Sequence, residues 1–239
     1  MLYLLIFILG LSVGSFLNVV ICRLETKESI VAKRSHCPQC GAVLKWYDLI
    51  PLLSFVFLLG KCRSCGKKIN WQYPVVEIAT GLLFLLFFNL YFYLIIICFL
   101  IIIFVYDLKH YIIPNKVVFP AIILSFFYSI FIGSFLNFLL AALGASGFFL
   151  ALVLVSKGRW MGMGDVKLAF LMGLILGWPN ILAALFLAFL SGAVVGVALI
   201  IFGKKGLKSQ IPFGPFLAGA TVLVMLCGQL WINFLFVFW

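Results

Sequence analysis

The chain of 239 residues holds six acids: Glu25, Glu28, Asp48, Glu77, Asp107 and Asp165. The first three fall in a polar stretch, where a solvated role is the default. Glu77, Asp107 and Asp165 stand in or at the ends of apolar runs, where a carboxylate is costly and marks function. Asp107 closes the run Ile101-Ile102-Ile103-Phe104-Val105-Tyr106, and Asp165 stands in Gly162-Met163-Gly164-Asp165, directly before another apolar run. Two carboxyls brought close cannot both ionise easily, so they share a proton. The ionised one can take a proton from water while the protonated one polarises a scissile carbonyl. Gly162 and Gly164 have no side chain to block a partner helix or a substrate backbone. A structural role competes with this chemistry. Asp107 has Lys109 and His110 beside it in sequence, Asp165 has Lys167, and Asp165 can also cap its helix.

A second constellation is made of thiols. Cys37-Pro-Gln-Cys40-Gly41 and Cys62-Arg-Ser-Cys65-Gly66 are paired Cys-x-x-Cys turns with 21 residues between them. Two such knuckles can close a tetrahedral thiolate site with no open position, which makes the expected zinc ion structural. A disulfide pairing or unliganded thiols are the alternatives; cytosolic thiols stay reduced. Cys22, Cys98 and Cys227 lie in apolar runs and are expected to be packing residues. His36, next to Cys37, is expected to be a bystander. Between the knuckles, Trp46-Tyr47-Asp48-Leu49-Ile50-Pro51 leads into an apolar stretch ending at Leu59, too short to span a bilayer. It is expected to lie against the membrane surface or dip into it, clamped at both ends by the knuckles near the helix mouths.

Composition says what must position these residues. Apolar residues make up 66% of the chain and charged residues only 10%, against roughly 25% charged in a soluble domain. That much Leu, Ile and Phe belongs in lipid. The apolar runs fall near 2–22, 74–89, 91–106, 117–133, 135–156, 167–178, 180–202 and 212–238. They predict an all-α polytopic membrane protein of about eight transmembrane helices. The domains expected are a first transmembrane helix at 1–22, a tetracysteine zinc insert at 23–73 and a helical membrane domain at 74–239. All 17 Lys and Arg fall in four segments, with 9 in 23–73, 2 in 106–116, 3 in 157–167 and 3 in 203–210. The intervening hairpins hold none. The positive-inside rule then makes those four segments cytoplasmic and puts both termini outside. Asp107 and Asp165 fall at one cytoplasmic depth. The net charge of +11 is thereby a topology signal, and no aromatic-interleaved basic stretch points to nucleic acid. The first segment lacks the basic start and cleavage site of a signal peptide and is expected to be a retained helix. Small residues four apart, such as Gly10 and Gly14, Gly173 and Gly177, and Gly192 and Gly196, predict close helix packing inside one bundle.

Six segments, in order, resemble the type IV prepilin peptidases, the bacterial branch of the Gly-x-Gly-Asp aspartyl proteases. They are Gly14-Ser15-Phe16-Leu17-Asn18-Val19-Val20, the paired knuckles around Tyr47-Asp48-Leu49-Ile50-Pro51, Tyr73-Pro74-Val75-Val76-Glu77, Asp107 with Ile113-Pro114-Asn115, Gly162-Met163-Gly164-Asp165-Val166-Lys167-Leu168, and Ile211-Pro212-Phe213-Gly214-Pro215. The resemblance implies Asp107 and Asp165 as catalytic acids, with Gly162, Gly164 and Lys167 supporting them. It implies an enzyme of the cell membrane whose substrates are prepilins or pseudopilins. These carry a short basic leader before an apolar helix and are cut at the cytoplasmic face, commonly after glycine. Many members also methylate the new N-terminus using S-adenosylmethionine; no Rossmann-type glycine loop supports that here. A basic leader is repelled by a basic cytoplasmic face, so local acids are expected to read it, Asp48 first and Glu77 second. A peptidase without methyl transfer, a proton-coupled transporter and a zinc-nucleated scaffold are the rival functions, though no inverted repeat speaks for transport.

Overall fold

The computed structural model describes residues 1–26, 28–29, 34–202 and 211–236, with side chains described as far as 227. Among these residues every regular element is a helix. They are α1 (Leu2–Thr26), α2 (Leu53–Phe57), α3 (Gln72–Leu86), α4 (Tyr91–His110), α5 (Asn115–Phe131), α6 (Phe135–Ser156), α7 (Met163–Leu176), α8 (Asn180–Ile201) and α9 (Gly214–Phe236). A 3-10 turn, Trp46–Leu49, precedes α2. Leaving α2 aside, the helices answer the apolar runs one for one. α1, α4, α6 and α8 are long and apolar enough to cross a membrane, while α3, α5 and the part of α9 up to Cys227 are apolar but shorter. The basic segment 203–210 lies outside the described residues.

Two of the boundaries that shift from the apolar runs concern the aspartates. α4 does not stop at Asp107 but continues a turn to His110. Lys109 and His110 occupy that last turn, where cations offset the negative end of the helix dipole. α7 starts at Met163, ahead of its apolar run, because extended Gly162 (φ −90°, ψ 159°) sets the cap and Asp165 satisfies it. α9 bends at Cys227 (φ −122°, ψ 18°).

The chain divides into two compact units, Met1–Ile102 and Ile103–Trp239. In the first, α1 packs along α3. A Cβ on Gly10 would lie 2.7 Å from Gly81 Cα, and one on Gly14 would lie 2.8 Å from Glu77 Cα. The small residues therefore serve contact within the bundle, as expected, and let dispersion and hydrogen bonds act between helices in lipid. In the second unit α7 packs against α5, α6, α8 and α9, and its residues Leu168, Ala169 and Leu171 to Leu176 are all buried. Gly173 meets the Ala142 backbone of α6, with no room for a Cβ.

Candidate active site and metal centre

Asp107 sits in the last turn of α4, 4% exposed. Its Oδ2 accepts the backbone N–H of Gly214 at 3.0 Å. Gly214 is the first residue of α9, where backbone N–H groups lack helical partners and favour anions. A Cβ on Gly214 would stand 2.6 Å from Oδ2 and 3.0 Å from Cγ of Asp107. Only glycine leaves this acceptor its place.

Asp165 is half-buried in the first turn of α7. Its Oδ2 accepts the Gly162 N–H at 3.1 Å, and its own N–H donates to the Gly162 carbonyl at 3.2 Å. This is the acidic half of a capping box. Asp165 also lies within electrostatic reach of Asp107. The cap thus restrains the Asp165 rotamer while leaving its carboxylate within electrostatic reach of Asp107.

Two contacts hold α7 in register with the segment following α4. A Cβ on Gly164 would lie 3.1 Å from Ile113 Cβ, so the missing side chain lets the 113 backbone close on α7. Lys167 does not turn back to Asp165: its Nζ donates to Asn115 Oδ1 at 2.8 Å and lies 5.4 Å from the Phe119 ring centroid. Gly162 is exposed, and a Cβ there would meet nothing closer than 3.8 Å, which leaves space beside Asp165 for a backbone to approach. The second unit therefore gathers Asp107, Asp165, Gly162, Gly164 and Lys167. It adds Gly214, Ile113 and Asn115, whose motifs were visible but whose roles were not.

Asp48 and Glu77 belong to the first unit and have partners there. Asp48 Oδ1 accepts Arg63 Nε at 2.9 Å, with only 8% of its side chain exposed. Its Oδ2 accepts the Lys45 N–H at 3.2 Å, and Arg63 also lies 4.9 Å from the Tyr47 ring centroid. Buried Glu77 accepts the Leu52 N–H at 2.9 Å, with the Ser15 side chain beside its carboxylate. Beside it, Asn18 accepts Gln72 Nε2 at 3.1 Å and donates to the Tyr73 carbonyl at 3.2 Å.

The four sulfurs of Cys37, Cys40, Cys62 and Cys65 lie within 4.8 Å of one another. Zn–S bonds of about 2.3 Å set tetrahedral S···S distances of about 3.8 Å, so the cluster fits a metal ion after small side-chain adjustments. The knuckles repeat one another. Gly41 N–H bonds the Cys37 carbonyl and Gly66 N–H the Cys62 carbonyl, both at 2.9 Å, with φ of 71° and 68° at the two glycines. The N–H groups of Cys65 and then Ser64 pull the Cys62 thiol down to about 7. Although the Ala42 N–H pulls the other way, desolvation and the thiols of Cys37 and Cys65 push Cys40 up to about 11. Such crowded thiols cannot all ionise unless a cation sits among them. His36 is exposed, and its Nδ1 faces the Arg34 carbonyl.

The features define an integral membrane protein with a Gly-x-Gly-Asp helix start and a tetracysteine insert. The chain belongs to the type IV leader peptidase family, which matches residues 94–197, while the bacterial peptidase A24 N-terminal domain matches residues 8–91. It is 36% identical to the prepilin leader peptidase/N-methyltransferase of Bacillus subtilis, over 96% of both chains. It is 32% identical to the protein of that name from Pseudomonas aeruginosa, over 93% of this chain and 89% of the relative. For the one from Legionella pneumophila the identity is 30%, over 99% and 95%. No solved structure matches the chain.

Proposed function

We propose that this chain is a membrane-embedded aspartyl endopeptidase that removes the basic leader of prepilins or pseudopilins, with Asp107 and Asp165 as its catalytic pair. The observation that carries the proposal is the placing of two acids within electrostatic reach, each fixed by a glycine N–H at the start of a helix. The ionised carboxyl takes a proton from water, and the resulting hydroxide adds to the scissile carbonyl. The protonated carboxyl gives its proton to the carbonyl oxygen. The tetrahedral intermediate then collapses as a proton passes to the leaving amine, and no covalent enzyme intermediate forms. Gly162 and Gly164 keep the approach open, and Lys167 ties α7 to Asn115.

The positive-inside distribution supports a cytoplasmic face for the aspartates and the insert, with both termini outside. Cys37, Cys40, Cys62 and Cys65 would hold a structural zinc ion, a full thiolate set with no position for a reacting water. The partners of Asp48 and Glu77 support a role in holding the insert, and we assign leader contact to neither. The N-methyltransferase in the relatives' name supports a second activity, transfer of a methyl group from S-adenosylmethionine to the newly exposed amine. Cleavage of a prepilin by purified protein, compared with Asp107→Asn and Asp165→Asn, tests the proposal. Both variants should insert normally and cut nothing; appreciable cleavage by either rejects the pair.

A further inference from the structure

The segment between the knuckles shows an apolar surface that its own fold does not cover. Leu53, Val56, Phe57 and Leu59 are 54%, 65%, 81% and 84% exposed. Phe55 turns the other way, edge-on to Trp71 at 5.2 Å and against Gly60. α2 has only five residues and cannot cross a bilayer.

The root of this hairpin is fixed. Leu52 has φ 58°, a conformation that an L residue keeps only when its surroundings hold it. The holding group is Glu77, which accepts the Leu52 N–H from the second turn of α3. α1 packs along α3 and brings Ser15 beside the same carboxylate. The hairpin is therefore tied to two membrane helices, below the first turn of one of them. α3 has 15 residues, about 22 Å of helix against a hydrocarbon layer of about 30 Å. Trp71, 72% exposed, stands at its start, the kind of residue that aromatic belts hold at the boundary of that layer. Lys45, Lys61, Lys67 and Lys68 are exposed on the same insert, the charge that anionic headgroups attract.

We infer that Trp46–Leu59 is a wedge seated in one lipid leaflet, with Val56, Phe57 and Leu59 in the acyl boundary and Glu77 as the latch that keeps it there. Lipid is the occupant because the tie to α1 and α3 fixes the hairpin at bilayer depth whether or not substrate is bound.

The test uses the full chain in vesicles of phosphatidylcholine and phosphatidylglycerol. An environment-sensitive fluorescent amino acid replaces Phe57, or Lys67 as the control. Lipid-borne doxyl groups should quench position 57 ~3-fold more strongly than position 67, and aqueous iodide should show the reverse order. The pattern should not change with protein density or with added prepilin. Iodide reaching 57 as readily as 67 overturns the inference. So does shielding that appears only with prepilin, which would make the surface a substrate site, or shielding that grows with protein density, which would make it a contact between copies. Glu77→Ala should open position 57 to iodide, while Glu77→Gln, whose amide oxygen still accepts the Leu52 N–H, should leave it shielded. If Glu77→Ala leaves 57 shielded, Glu77 is no latch. These readings do not involve cleavage, so they stand or fall apart from the proposed activity.

Discussion

The Asp107 carboxylate is bonded by the N–H of Gly214, 107 positions later in the chain. One end of α4 and the beginning of α9 thus meet at a single oxygen. The contact leaves no room for a side chain at 214, so the position of the acid depends on the absence of a methyl group. Gly214→Ala should therefore displace the carboxylate, and misplacement on the ångström scale costs about 10²-fold in rate. Cleavage assays should show that loss in kcat with KM little changed, in a protein of normal mobility on gel filtration in detergent. Activity within a few-fold of the parent would show that the carboxylate does not need this seat.

Lys167 and Asn115 should act as one unit. Lys167→Met and Asn115→Ala each remove the 2.8 Å bond between α7 and the start of α5, and each should lower kcat by about tenfold, or about 1.4 kcal/mol. The double variant should be no worse than the poorer single one, the signature of a shared interaction. Additive losses would show that the two residues work separately.

Metal analysis should find about one zinc per chain, lost when Cys37 and Cys40 become Ser, because apo and unfolded forms of such knuckles are linked. Limited proteolysis should then cut within the insert while α4 to α9 stay intact. Full metal content in the double Ser variant would rule out the thiolate site.

Asp48→Ala should leave KM for substrates with basic leaders within about twofold, since its charge already serves Arg63. The carboxylate is largely buried, with 8% of its side chain exposed, and it also accepts the Lys45 N–H, so the cost of the substitution should fall on the stability of the insert rather than on leader binding. A tenfold rise in KM with kcat unchanged would return Asp48 to leader binding.

The chemistry of this chain was legible because the residues that carry it are foreign to their surroundings. A carboxylate in an apolar run and a thiol pair in a polar one stand out from sequence alone, and helix number followed from hydropathy and charge. The partners were hidden. Leu52 reaches Glu77 through a backbone N–H, which has no residue-type signature. Arg63 finds Asp48 only after both knuckles fold. Gly214 is one of 21 glycines, and its purpose depends on a helix end far away in the chain. The end of α4 was placed a turn early because hydropathy falls at Asp107, whereas backbone hydrogen bonding continues to His110.

α7 has 14 residues, about 21 Å of helix, and is enclosed by protein. It cannot reach both faces of a layer about 30 Å thick, so only one of its ends can meet solvent at a surface. Asp165 stands at the end marked by exposed Gly162, and hydrolysis consumes a water molecule at every turnover. The short helix therefore sets a plumbing requirement. Solvent must be admitted along the open side of Gly162 while the buried side of α7 stays dry, and the width of that inlet will govern how fast the pair can be resupplied.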